Sequence, residues 1–309
     1  MSISRRHFMQ RSAAAALGST AWASLHRRAA AFPLSLAPGV QLWSVGDELE
    51  QDEDGTLRAL AKIGFKEVEL FELPKSPVAF RKKCDNLGLK IVGGHFYLDS
   101  LRRQETLDSA HVLGLHYLIV VFPTLRVWAD KDISNMTVKE LNPAYEKITL
   151  EDYRWNAEQF NKLGVTVKRS GLQLGYHNHA IDLKPLGLTR GLDVLIGATD
   201  PDLVVFEMDC GHVIHAGQDP IAYLKKYGSR IQLLHLKDLK AGYGVSSSID
   251  TEEKDTNAEL GLGVIDWQGV FNAAKPAGVE HYFIEHEGKM DHSHLEALQI
   301  SYRYLERLT

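Results

Sequence analysis

The sequence predicts a single (β/α)8 barrel, and three observations predict it. A helical segment, a glycine near its end and a short apolar run of β-type residues recur along the chain. Eight such apolar runs can be placed between residues 39 and 309. No glycine-rich phosphate turn follows an early strand, as the competing doubly wound sheet would want. With 309 residues, 44% apolar and 24% charged, the chain can bury a full core, and its length alone permits two small domains or one large barrel. The repeat chooses the barrel.

Taken in order, "GVQLWSV" is the first strand, and "GTLRALAKI" has apolar residues at helical spacing. The next units are "KIGFKEVEL", "NLGLKIVGGHF", "VLGLHYLIVVF" and "RSGLQLGYHNH", each with a glycine suited to the left-handed residue that ends a helix. "LVVFEMD", "IQLLHLKD" and "PAGVEHYFIEHE" supply the last three strands, separated by the amphipathic "DPIAYLKKY" and "DWQGVFNAA". Two insertions break the rhythm, residues 123–149 and the polar run "KAGYGVSSSIDTEEKDTNAELGLG". Both follow strands and so belong to the catalytic face of a barrel, the second being the better lid candidate.

Active sites of such barrels are built from the C-terminal ends of the strands. Here those ends carry Gln41 and Trp43, Glu69 and Glu72, His95, then His177, Asn178 and His179, then Asp209 and His212, then His235, Lys237 and Asp238, and finally Glu285, His286 and Glu287. Each alone has a plain structural role: a satisfied histidine, a helix cap at Asp209, a loop anchor at Asp238. Their convergence on one mouth is costly unless a cation or substrate compensates them. Oxygen and nitrogen donors without thiolates suit Mn, Mg, Co or Zn as a divalent ion.

The motifs "YHNH" (176–179), "FEMDCGH" (206–212), "HLKD" (235–238), "GLGVIDW" (261–267) and "FIEHE" (283–287) resemble the sugar phosphate isomerase/epimerase family of xylose isomerase-like barrels. The resemblance implies metal ligands at Asp209, His235 and Glu285. On strand five many relatives have a glutamate; this chain offers His177, with His179 and Asp182 as substitutes. It also implies that His212 contacts the sugar, that Glu69 serves as acid or base, and that Lys237 lies near the substrate. Glu285 joins Glu69 and His212 as a catalytic group, and Gln41, Trp43, His95 and His179 line the substrate pocket. Gly211 is expected to turn the chain back over the mouth.

A divalent ion next to a hydroxyketone acidifies the adjacent C–H, and a carboxylate removes that proton. The expected activity is a metal-dependent sugar isomerase or epimerase acting through an enediolate. The alternatives are a lyase or dehydratase of 3-keto sugars or glycosides on the same site, and a periplasmic sugar-binding barrel without turnover.

Formal net charge is −5, with no long basic run in the body, so the expected partners are small carbohydrates and copies of the chain itself, not nucleic acid. Cys84 and Cys210 lack any metal-type spacing and suggest no disulfide framework. Residues 1–31 begin with twin arginines, Arg5 and Arg6, then an Ala-rich apolar segment too short to span a membrane. This resembles a twin-arginine signal and linker, which implies export of the folded protein to the periplasm or beyond, with no membrane attachment after processing. Losing that segment removes five arginines and no acid, leaving 30 basic and 40 acidic residues, a net charge of −10.

Overall fold

The computed structural model describes residues 32–129, 136–248 and 255–308; the expected export segment lies outside them. Eight parallel strands close a barrel: β1 (Gly39–Gln41), β2 (Glu67–Leu70), β3 (Lys90–Phe96), β4 (Tyr117–Val120), β5 (Gln173–His177), β6 (Val204–Asp209), β7 (Ile231–Leu236) and β8 (His281–Ile284). Each pairs with its neighbours in chain order, and β8 returns to β1 through Gly39↔Phe283 and Val40↔Ile284.

Helices α1 (Gly46–Ile63), α2 (Pro77–Leu87) and α3 (Gln104–Leu113) follow the first three strands. The first insertion folds into α4 (Val138–Tyr145) before α5 (Leu150–Arg169). After β5 comes α6 (Gly191–Ala198), and β6 runs into the short α7 (Cys210–His215) before α8 (Pro220–Tyr227). Helices α9 (Trp267–Ala277) and α10 (His294–Leu305) complete the ring. The glycine stops work as expected: Gly88 and Gly278 take left-handed φ of 68° and 81°, capping α2 and α9.

Strand alternation divides the interior. On β6, Val204, Phe206 and Met208 join the large core under the helices, while Val205 joins a separate inner cluster with Val92, Tyr117, Ile119, Leu233 and Phe283. This apolar plug fills the lower barrel and leaves the upper barrel to polar side chains. Two strand pairs shift register, β2 with β3 between Val68 and Glu69, and β6 with β7 between Phe206 and Glu207. Such irregularities re-aim a side chain, and each here delivers a buried glutamate.

Both insertions sit over the same face. Tyr145 donates its hydroxyl to the Pro123 carbonyl at 2.8 Å, the Ser248 hydroxyl reaches the Asn142 side chain at 3.2 Å, and the Ser246 amide donates to the His215 carbonyl at 2.8 Å. Residues 249–254 of the lid candidate are outside the described residues. Both cysteines are buried and unbridged. Among the described residues no helix is long and apolar enough to cross a membrane.

Asp238 takes the anchoring role foreseen for it. Its carboxylate accepts from the amides of Leu239, Gly261 and Ile265 at 2.9, 3.0 and 3.1 Å, and from the Trp267 indole at 2.8 Å. Asp238→Ala orphans four donors, so denaturant unfolding should show a loss of about 3 kcal/mol or more. A loss under about 1 kcal/mol would deny Asp238 this role.

Candidate active site

The C-terminal ends of β6, β7 and β8, with the residues that directly follow β7 and β8, bring three pairs of side chains two residues apart into the barrel mouth: Glu207 and Asp209, His235 and Lys237, Glu285 and Glu287. They build two levels. In the deeper level Glu207 Oε2 lies 3.0 Å from His95 Nε2, 3.1 Å from His177 Nδ1 and 3.2 Å from His235 Nε2. Glu69 Oε2 lies 2.7 Å from His235 Nε2 and 3.3 Å from His95 Nε2, and accepts from the Gln41 amide at 2.8 Å. In the upper level Lys237 Nζ is 3.2 Å from Asp209 Oδ2, 3.2 Å from Glu285 Oε2, 2.8 Å from Glu287 Oε2 and 3.1 Å from His212 Nε2. His235 links the levels, its Nδ1 being 3.0 Å from Glu285 Oε2.

Burial disfavours charge on every one of these groups, and the neighbours decide which remain charged. His95 loses by desolvation, yet Glu69 and Glu207 outweigh that and raise it to about 9. His235 is likewise raised well above the ordinary range by Glu207 and Glu285, against its burial. Burial pushes Glu207 up, but His235 and His95 bring it down to about 2. Burial, then the neighbouring His235 and His95, hold His177 far below its usual value, so its ring is neutral with a lone pair to offer. Lys237 stays an ammonium: Asp209, Glu285 and Glu287 overcome its desolvation.

The structure brings together Gln41, Glu69, His95, His177, Asp209, His212, His235, Lys237 and Glu285. Asp209 takes the capping role considered for it, Oδ1 accepting the His212 amide at 2.6 Å at the start of α7, while Oδ2 faces the Lys237 ammonium at 3.2 Å inside the cluster. Gly211 acts by absence of bulk; a Cβ there would lie 2.7 Å from both the Cβ and the carbonyl oxygen of Lys237. His179 stacks on Phe122 with centroids 4.0 Å apart and stands 4.8 Å from the His212 ring, at the rim. Trp43 is apart from the cluster. It is 45% exposed, meets Phe71 edge-on and lines a cleft of about 760 Å³ between α1 and α2, which none of the clustered residues line. His286 lies apart from the cluster, its Nε2 paired with Ser301 Oγ at 3.1 Å. Glu287 was named in sequence only as a strand-end residue without a role and Glu207 was not named at all, although each stands two residues from a strand-end carboxylate.

Asp182 turns away from the cluster, accepting from the His179 amide and the Tyr176 and Tyr153 hydroxyls at 2.9, 2.9 and 3.0 Å. Burial nonetheless raises its carboxyl from 3.8 to about 6. The folded protein therefore holds this proton more tightly than the unfolded chain, and the stabilisation present below about pH 4 is lost as pH rises through 6. The stability of wild type relative to Asp182→Asn should fall by up to ~3 kcal/mol between about pH 4 and 7 in urea titrations. A pH-independent difference would rule this out.

Among the described residues three groups of side chains can hold a divalent ion: one is the imidazoles of His177, His179 and His212, and the other two share His177 and His235. In one, His177, Asp209, His235 and Glu285 offer atoms all within 4.8 Å of one another; in the other, His95, His177, Glu207 and His235 do so. Buried Glu69 Oε1 and Glu207 Oε1 make no hydrogen bond. Unsatisfied carboxylate oxygens among imidazoles fit a cation.

Residues 57–308 match a family model described as a xylose isomerase-like TIM barrel. An inosose dehydratase of Clostridium perfringens is 30% identical over 263 residues, spanning 78% of this chain and 86% of that protein. A solved sugar phosphate isomerase/epimerase from Parabacteroides distasonis superposes with a TM-score of 0.69 at 24% identity, over 87% of this chain and 93% of that one. The IolI protein, crystallised with a zinc atom, has a TM-score of 0.58 at 14% identity, over 88% of this chain and 98% of that one. At these identities the two solved structures show a shared fold.

Proposed function

The chain belongs to the xylose isomerase-like TIM-barrel family, and from that premise we propose that it is a divalent-metal-dependent lyase that removes water, or another β-leaving group, from a keto-sugar or keto-cyclitol. The observation that carries elimination over epimerisation is the contact of Lys237 Nζ with both Glu285 Oε2 (3.2 Å) and His212 Nε2 (3.1 Å). It sets a carboxylate base and nitrogen proton donors side by side in one mouth. Inosose dehydratase relatives support the same reaction class.

His177 and His235 would hold the ion. Either Asp209 and Glu285, the carboxylates implied by the family resemblance, or His95 and Glu207 complete its sphere. A bound divalent ion supplies positive charge beside the substrate carbonyl and so acidifies the neighbouring C–H. Glu285 takes that proton, and the C–H electron pair passes into the adjacent carbonyl as an enolate. The enolate then forms a carbon–carbon double bond by expelling the β-oxygen, which takes a proton from His212 or Lys237. The products are an enone and water. Glu69 stands behind His235 and orients its ring, while His179 and Gln41 offer polar contacts to hydroxyls.

The same reading takes the twin arginines Arg5 and Arg6 as an export signal, and an exported enzyme would meet free keto-sugars and their glycosides rather than phosphate esters. The test is incubation of metal-loaded protein with keto-sugars and keto-cyclitols in D₂O. Loss of water by mass spectrometry, with an enone chromophore, is expected. Deuterium incorporation without loss of mass would instead support the isomerase or epimerase reading. No exchange on any substrate would support the binding barrel.

A further inference from the structure

The cleft between α1 and α2 takes no part in the chemistry above, yet it opens beside the barrel mouth. Resting on the reading that a keto-sugar is held at that mouth, we propose that the cleft is a second sugar subsite, which takes a neutral glycosyl residue joined to the keto-sugar.

The first support is continuity. Gln41 and Glu69 are register partners on β1 and β2, both belong to the cluster, and Gln41 Nε2 donates to Glu69 Oε2 at 2.8 Å. Two residues further along each chain segment stand Trp43 and Phe71, whose rings meet edge-on with centroids 5.5 Å apart. Both line the cleft. Two residues carry the backbone at most about 7 Å, so the cleft starts where the mouth ends. Gln41 ties the two together: its Oε1 accepts the Trp43 amide at 3.2 Å, while its Nε2 faces Glu69 and His95. The other walls come from the N-terminal parts of α1 and α2, which lie toward the catalytic side of such a barrel.

A second support is the chemistry of the lining. A pyranose ring has flat faces of C–H groups and a rim of hydroxyls, so its complement is an open aromatic face with hydrogen-bond acceptors nearby. Trp43 leaves 45% of its surface exposed, and Asp47, Glu50 and Glu72 line the same cleft. Its volume of about 760 Å³ falls within the ~300–1,000 Å³ usual for small-molecule sites.

Charge then selects among occupants. The lining has four carboxylates, Asp47, Glu50, Glu53 and Glu72, against the ammonium groups of Lys75 and Lys83. Lys83 is itself held by Glu53 and Asp54, each at 2.6 Å. A phosphate or uronate would meet net negative charge there. A wholly apolar group would cover carboxylates without pairing them. Neutral hydroxyls donate to those oxygens while the ring face covers the indole.

The experiment is titration calorimetry on the metal-loaded full chain with methyl glucosides of both anomers and a panel of glucose disaccharides. None of these carries a ketone, so none is consumed. At least one disaccharide should bind ~10-fold or more tighter than the methyl glucoside of the same anomer. Trp43→Ala, and Ala79→Trp, which fills the cleft from an exposed helical position, should each bring the two ligands within about twofold. Glucuronate in place of the second glucose should remove the advantage as well. Circular dichroism verifies folding, and either variant carries the test if the other misfolds. A ratio near one across the panel in the wild type overturns the subsite, as does an advantage that survives in the folded variants. Self-association abolished by Ala79→Trp, with no preference among sugars, assigns the cleft to a second copy and overturns it too. The keto forms are assayed for elimination in parallel. A disaccharide preference without elimination keeps the subsite and refutes the lyase reading; elimination without a preference does the reverse.

Discussion

His235→Ala should yield protein with no stoichiometric metal and with C–H exchange reduced on the order of a thousandfold or more, since a cation beside the carbonyl is worth several kcal/mol. His235 belongs to both donor sets that contain carboxylates, so the result holds whichever of them takes the ion. The same ring stands between Glu69, Glu207 and Glu285 at 2.7, 3.2 and 3.0 Å. Its removal leaves buried carboxylates uncompensated, at a cost of about 3–5 kcal/mol. Elemental analysis must therefore be read on the folded fraction, with His235→Gln as the milder companion. Full metal occupancy in folded His235→Ala would remove this residue from the centre.

Lys237→Met should separate the two halves of the proposed reaction. Proton abstraction by Glu285 comes before departure of the β-oxygen, so deuterium exchange should persist while water loss falls about 10²–10⁴-fold, the usual worth of a positioned general acid. Unfolding free energy should drop by roughly 3–5 kcal/mol, because Asp209, Glu285 and Glu287 lose their shared counter-charge. Lys237→Arg should recover stability better than it recovers elimination, since a broad planar guanidinium cannot set its donors at the point the compact ammonium occupies. Parallel loss of exchange and elimination in Lys237→Met would place the lysine before the C–H step and refute its role as donor.

The barrel was legible because its signals are local. A glycine such as Gly88 or Gly278 needs only its own left-handed backbone to end a helix, and an apolar run needs only its own composition. The convergence of His177, Asp209, His235 and Glu285 was legible for the same reason, since each lies within one residue of the end of a strand. Glu207 escaped attention because only the last residue of β6 was weighed; alternation along that strand puts it on the face of Asp209. Lys237 was foreseen near the substrate, but its three carboxylate partners come from two other elements, and no local pattern announces them. Trp43 shows the converse: two residues beyond Gln41 the backbone has left the strand for a 3-10 turn, so alternation no longer governs where the indole goes.

The two register shifts beside Glu69 and Glu207 have a consequence for how such a centre is inherited. A residue's face in a strand is set by counting, so one residue inserted or deleted on one side of the pairing sends the glutamate to the opposite face. The deep layer is thus a matter of chain length as much as of residue identity. Lineages would gain or lose it through single-codon insertions and deletions in β2 and β6. Homologues that keep every motif letter can still differ in whether these glutamates look into the barrel, so substitution scores alone would misjudge which of them share this chemistry.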